Sequence, residues 1–93
     1  MPRFEWDEPK AAQNIAKHGL PFEYAARVFL DPHRLDAEDR RRPYGEERRL
    51  ALGSIEGRVY AVAYTMRGEI VRLISARKAN RREWRKYHET LPP

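Results

Sequence analysis

The run Arg58-Val59-Tyr60-Ala61-Val62-Ala63-Tyr64-Thr65 constrains the fold of this chain more than any other stretch. Apolar side chains fall on both faces of its extended backbone, the pattern of a central strand. Glu56-Gly57 precedes it and Arg67-Gly68-Glu69 follows it. Both are short turn signals that leave room only for antiparallel connections. The neighbouring strands are then residues 48–53 and residues 70–75. Further upstream, Asp36-Ala37-Glu38-Asp39 reads as a short edge strand, and residues 40–47 as an exposed polar loop.

The first third of the chain is helical by its punctuation. Phe4-Glu5-Trp6 alternates as a short strand, and Asp7 is placed to cap a helix whose first turn accepts Pro9. Ala11, Ala12, Ile15 and Ala16 give that helix a small-residue apolar face. Gly19 follows Lys17-His18 as a left-handed C-cap, where cationic side chains suit the negative helix end. Pro21 opens a second helix with Phe22, Ala25, Ala26 and Phe29 on one face, and Asp31-Pro32 closes it. After the last strand, Asn80 caps a third helix with Glu83 three residues on. Its apolar stripe is Trp84, Tyr87 and Leu91, so Trp84 reads as core. The expectation is a single α+β domain over residues 1–93: a short strand, two helices, a four-strand antiparallel meander and a terminal helix, with the helices on one face of the sheet.

Charge divides the chain unequally. Residues 50–93 hold nine basic and four acidic side chains, which accounts for the whole net charge of +5, while the rest is balanced. A one-sided basic field favours polyanions and acidic proteins as partners. The absence of cysteine excludes disulfides and thiolate metal sites, and three scattered His residues make no zinc pattern. The polar start and the lack of any long apolar run lead us to expect a cytoplasmic protein with no membrane segment.

Arg72 interrupts Ile70-Val71-Arg72-Leu73-Ile74, so its guanidinium must reach solvent or be paired. A planar fork there suits phosphate oxygens. Arg77, placed by alternation on the opposite face and next to a helix N-terminus, is a second anion ligand. Arg81, Arg82, Arg85 and Lys86 line the polar side of the last helix, and Tyr87 is a candidate hydrogen-bond donor. Lys17 and His18 are candidates for proton transfer, as is Glu47, with Arg48 beside it as a phosphate ligand. No Gly-rich phosphate loop and no zinc-protease motif is present. Arg, Lys, His, Glu and Tyr without a cofactor fit one reaction well, the cleavage of RNA by its own 2′-hydroxyl.

The chain resembles the BrnT-type ribonuclease toxins of type II toxin–antitoxin systems, which share a small RelE-like fold. The residues that carry this are Phe4-Glu5-Trp6-Asp7 with Lys10 and Asn14, Lys17-His18-Gly19, Phe22-Glu23, Val28-Phe29-Leu30-Asp31, Gly45-Glu46-Glu47-Arg48, and residues 72–79 with Arg82, Glu83 and Tyr87. Asn80 stands where the family commonly has Thr, and Trp84 at a position that is usually basic. The resemblance implies a metal-independent endoribonuclease that inhibits translation and growth. It would be neutralised by a BrnA-type antitoxin whose ribbon-helix-helix part binds promoter DNA, so that the toxin meets DNA only through that complex. On this basis Lys17, His18, Glu47, Arg72, Arg77 and Tyr87 are the candidate catalytic residues. Arg48, Arg67, Arg81, Arg82, Arg85 and Lys86 are the candidate RNA contacts. The alternative is a basic module that binds nucleic acid or an antitoxin as a co-repressor, without catalysis.

Overall fold

A computed structural model describes residues 2–40 and 45–93. Asp7 caps helix α1 (Glu8–His18) as its position predicts, accepting the Lys10 N–H at 3.2 Å. Gly19 ends that helix at φ 66°, and its N–H donates to the Ile15 carbonyl at 2.7 Å. Past Pro21, α2 spans only Phe22–Ala25 before the chain tightens into a 3₁₀ helix over Ala26–Leu30. The expected face survives this tightening, because Phe22, Ala25, Ala26 and Phe29 are all buried.

Five strands follow the order β1-β5-β4-β3-β2. They are β1 (Arg3–Glu5), β2 (Leu35–Glu38), β3 (Arg49–Ile55), β4 (Arg58–Arg67) and β5 (Ile70–Lys78). The last four form the antiparallel meander expected from their turns. β1 runs parallel to β5, with Phe4 opposite Val71, which makes the sheet mixed. Of the polar loop expected over residues 40–47, Arg40 and residues 45–47 are exposed; residues 41–44 lie outside the described residues.

The helices are not all on one face. Phe22, Ala25, Val28 and Phe29 pack with Val62, Tyr64, Val71 and Leu73 on one side of the sheet. Helix α3 (Arg81–Glu89) lies on the other, where Tyr87 packs with Leu52, Val59 and Ala61. The cause is the run from Arg58 to Thr65. β4 is apolar on both faces, so each face needs its own cover, and burying only one would leave Val59 and Ala61 in water.

Two other expectations change. In α1 it is Asn14, not Ile15, that turns inward, and Ile15 is 48% exposed. The Asn14 amide donates to the Leu20 carbonyl at 2.8 Å and the Ala76 carbonyl at 3.0 Å, while its oxygen accepts the Ala76 N–H at 3.0 Å. That side chain takes the place of a neighbouring strand for Ala76, which satisfies every polar atom it buries. Trp84 is not core. It is 49% exposed and packs against His88, with ring centroids 4.0 Å apart and the ring planes tilted by 47°. No helix among the described residues is long and apolar enough to cross a membrane.

Candidate functional site

Simple alternation puts Arg72 and Arg77, five residues apart, on opposite faces of β5. The register says otherwise. Ala63 pairs with Ser75 but Tyr64 pairs with Leu73, so Ile74 is an extra residue on β5. This bulge shifts the parity by one. Arg72 lies opposite Thr65 and Arg77 opposite Ala61, two residues of the same face of β4. Both arginines therefore stand on the side of the sheet that carries α3.

Helix α3 covers only part of that side. At its uncovered end, near the β4–β5 turn, a cavity of about 240 Å³ is lined by Lys10, Glu46, Arg48, Thr65, Arg67, Arg72 and Ile74. Two expected RNA contacts, Arg48 and Arg67, thus meet the expected catalytic Arg72 in one place with a lysine from the first turn of α1. The Arg72 guanidinium donates to the Glu5 carboxylate, its β1 register partner, and the Arg67 guanidinium lies 3.8 Å from Glu46. Four cations against two carboxylates leave the cavity positive, which suits a phosphate group.

The remaining candidates lie elsewhere. Arg77 forms a bidentate pair with Glu83, at 2.7 and 3.0 Å, and Glu83 also closes the capping box by accepting the Asn80 N–H. Glu47 accepts from Arg49 at 3.0 Å, and its backbone carbonyl accepts the Thr65 hydroxyl at 2.7 Å. Arg81, Arg82, Arg85 and Lys86 surround a shallow depression on the outer surface of α3. Lys17 and His18 are exposed at the end of α1 and line none of these cavities.

Tyr87 is buried, and its hydroxyl donates to Asp31 Oδ2 at 2.5 Å. Burial first, and then the Asp31 carboxylate, push the phenol up to about 12, so at neutral pH it holds its proton. Burial alone would raise Asp31. The hydrogen bonds from Tyr87 and from the Ser54 and His33 N–H groups outweigh that and hold it below the usual carboxylate value. Tyr64 donates to Asp36 in the same way at 2.5 Å and is also raised to about 12, by burial and then by Asp36.

The residues that the sequence reading passed over as chemistry are Lys10, Glu46 and Thr65. Lys10 and Glu46 entered only as parts of the family pattern and Thr65 not at all; the β4–β5 register sets Thr65 opposite Arg72, and the parallel β1 brings α1 with Lys10 beside β5. Among the described residues, no three His, Asp or Glu side chains gather where a metal ion could be held.

Comparison with known proteins adds what the site alone does not give. No curated protein matches the chain. A family model described as "Ribonuclease toxin, BrnT, of type II toxin-antitoxin system" matches residues 6–83, which includes every residue of the cationic cavity. The chain therefore belongs to the BrnT family of ribonuclease toxins.

Proposed function

We propose that the chain is an endoribonuclease that needs no metal ion and whose RNA phosphate binds among Lys10, Arg48, Arg67 and Arg72. The observation that carries this reading is that these four cations converge on one uncovered end of the sheet. Cations gathered there stabilise the charge that develops on the phosphoryl oxygens when the 2′-hydroxyl attacks. Glu46, in the same cavity, is the carboxylate that takes the 2′-hydroxyl proton, and Lys10 is the cation that supplies one to the leaving oxygen. Arg81, Arg82, Arg85 and Lys86 on α3 extend the surface along the RNA backbone. Arg77 and Tyr87 act through α3, the first through Glu83 and the second through Asp31, and both position that surface.

In this account the protein works in the cytoplasm, stops translation and growth by cutting RNA, and is neutralised by an antitoxin of the BrnA type that carries it to promoter DNA. The test is incubation of the purified chain with end-labelled RNA in the presence of a chelator. Discrete products ending in a 2′,3′-cyclic phosphate are expected, and intact RNA would overturn the reading. A second reading is a non-catalytic binding module. The pairing of Arg72 with Glu5 and of Arg77 with Glu83 favours it, and it predicts salt-dependent RNA binding with no products.

A further inference from the structure

β2 ends the sheet, so along Leu35–Glu38 one row of backbone N–H and C=O groups has no strand beside it among the described residues. Leu35 and Ala37 pair with Leu52 and Leu50 of β3. Leu35, Leu50 and Leu52 pack with Tyr87, which places them on the α3 side of the sheet. Helix α3 does not reach β2, and a groove of about 690 Å³ runs between them. Its floor is these apolar side chains, and its far wall carries Arg82 and Lys86.

The four carboxylates along the groove are engaged. Asp36 holds Arg49 and Tyr64, Glu38 holds Arg40, Glu83 holds Arg77, and Asp39 is buried and not free. Arg82 and Lys86 are exposed and form no ion pair among the described residues. The groove thus offers an open strand edge, an apolar floor and two uncompensated cations.

We propose that this groove holds the protein antitoxin through an extended, acidic segment. The segment adds to β2 as a further strand, sets alternate apolar side chains on Leu35 and Leu50, and places carboxylates on Arg82 and Lys86. A row of peptide groups repeats at the strand spacing of about 3.4 Å and matches the open edge, which a sugar–phosphate chain does not. Such a segment would also take two α3 cations away from RNA, while the cavity around Arg72 shares no lining residue with the groove. The proposal rests on the reading of the chain as a toxin with a bound antitoxin.

The test uses the full chain with the protein encoded by the neighbouring gene. Hydrogen exchange is followed for the chain alone and for the complex, and affinities are measured for wild type, Ala37→Glu and Ala37→Lys. Ala37 is exposed, and neither change removes a packed side chain. Exchange of the 35–38 amides should slow at least tenfold in the complex. Ala37→Glu should weaken binding by about tenfold or more, Ala37→Lys by less than about threefold, with RNA cleavage unchanged in both. Unaltered exchange along β2 would overturn the proposal, as would equal affinities for wild type and Ala37→Glu, or no binding of the neighbouring protein. Loss of cleavage in Ala37→Glu with antitoxin binding intact would put RNA in the groove and overturn it too. Failure of the ribonuclease reading shows separately, as intact RNA with wild-type chain while the partner still binds.

Discussion

Tyr87 and Asp31 join the two layers that the sheet separates. Asp31 closes the 3₁₀ helix on one face, and Tyr87 comes from α3 on the other. Their 2.5 Å hydrogen bond shares Asp31 Oδ2 with the Ser54 N–H of β3, so one carboxylate oxygen ties α3 to a strand and to the turn beside it.

Tyr87→Phe should therefore loosen α3 more than its lost oxygen suggests. A hydrogen bond to a charged group contributes about 2 kcal/mol, which for a domain of this size lowers the melting temperature by roughly 10 °C. The pH dependence follows from the raised phenol. A Tyr whose folded value lies above its unfolded value of about 10 contributes stability that is fully present below pH 10. That contribution is lost as pH rises through about 12. Tyr64 behaves alike, so melting of wild type should fall between pH 10 and 12, and fall less in Tyr87→Phe. Equal slopes in the two proteins would contradict this.

Asp31 sets the acid limb. Its folded value is depressed, so its contribution holds above the unfolded carboxylate value of about 3.9 and is lost as pH falls below it. Asp31→Asn should flatten the melting profile below pH 4 while lowering stability at pH 7.

Asn14→Ala leaves the Ala76 N–H and carbonyl and the Leu20 carbonyl without their buried partner. The cost should be about 2–4 kcal/mol, measured by urea unfolding. Asn14→Asp should cost as much, because it keeps the acceptor but turns a negative oxygen toward two carbonyls.

Gly53 is required by close approach. A Cβ there would stand 2.6 Å from Val28 Cγ1 and 3.0 Å from the Val28 carbonyl oxygen. Val28 is fully buried, so the clash cannot be relieved outward. Gly53→Ala should destabilise by about 1–3 kcal/mol, whereas Ala substituted at the exposed Ala12-neighbour Gln13 should change stability by less than about 0.5 kcal/mol.

Arg72→Ala separates function from fold. Its pair with Glu5 is partly exposed, at 27% and 34%, so its loss should cost under about 1 kcal/mol. RNA cleavage should fall roughly 100-fold, and the salt slope of RNA binding should drop by about one unit. Glu5→Gln should act in reverse, freeing the guanidinium and tightening RNA binding.

The parts of this fold that were legible in the sequence are the local ones. Asp7, Gly19 and Asn80 announce their caps because each satisfies backbone groups within a few residues. The turns at Gly57 and Gly68 impose the meander. What was hidden depends on distant partners. Arg72 finds Glu5 across 67 residues because β1 returns to β5, and Arg72 and Arg77 share a face only because of the bulge at Ile74. The exposure of Trp84 was hidden for a related reason, since it depends on how far α3 reaches over the sheet. Lys10, Glu46, Arg48 and Arg72 stand in the family pattern of the sequence, but that they line one cavity with Arg67 follows only from these long-range pairings.

The most direct measurement is induced expression of the chain alone in a bacterial host, with growth followed and total RNA mapped for new 5′ ends. Growth arrest with discrete new ends is expected for wild type, and neither for an equally abundant, folded Arg72→Ala variant. Normal growth and unchanged RNA with abundant wild-type protein, or the same ends from both proteins, would contradict it.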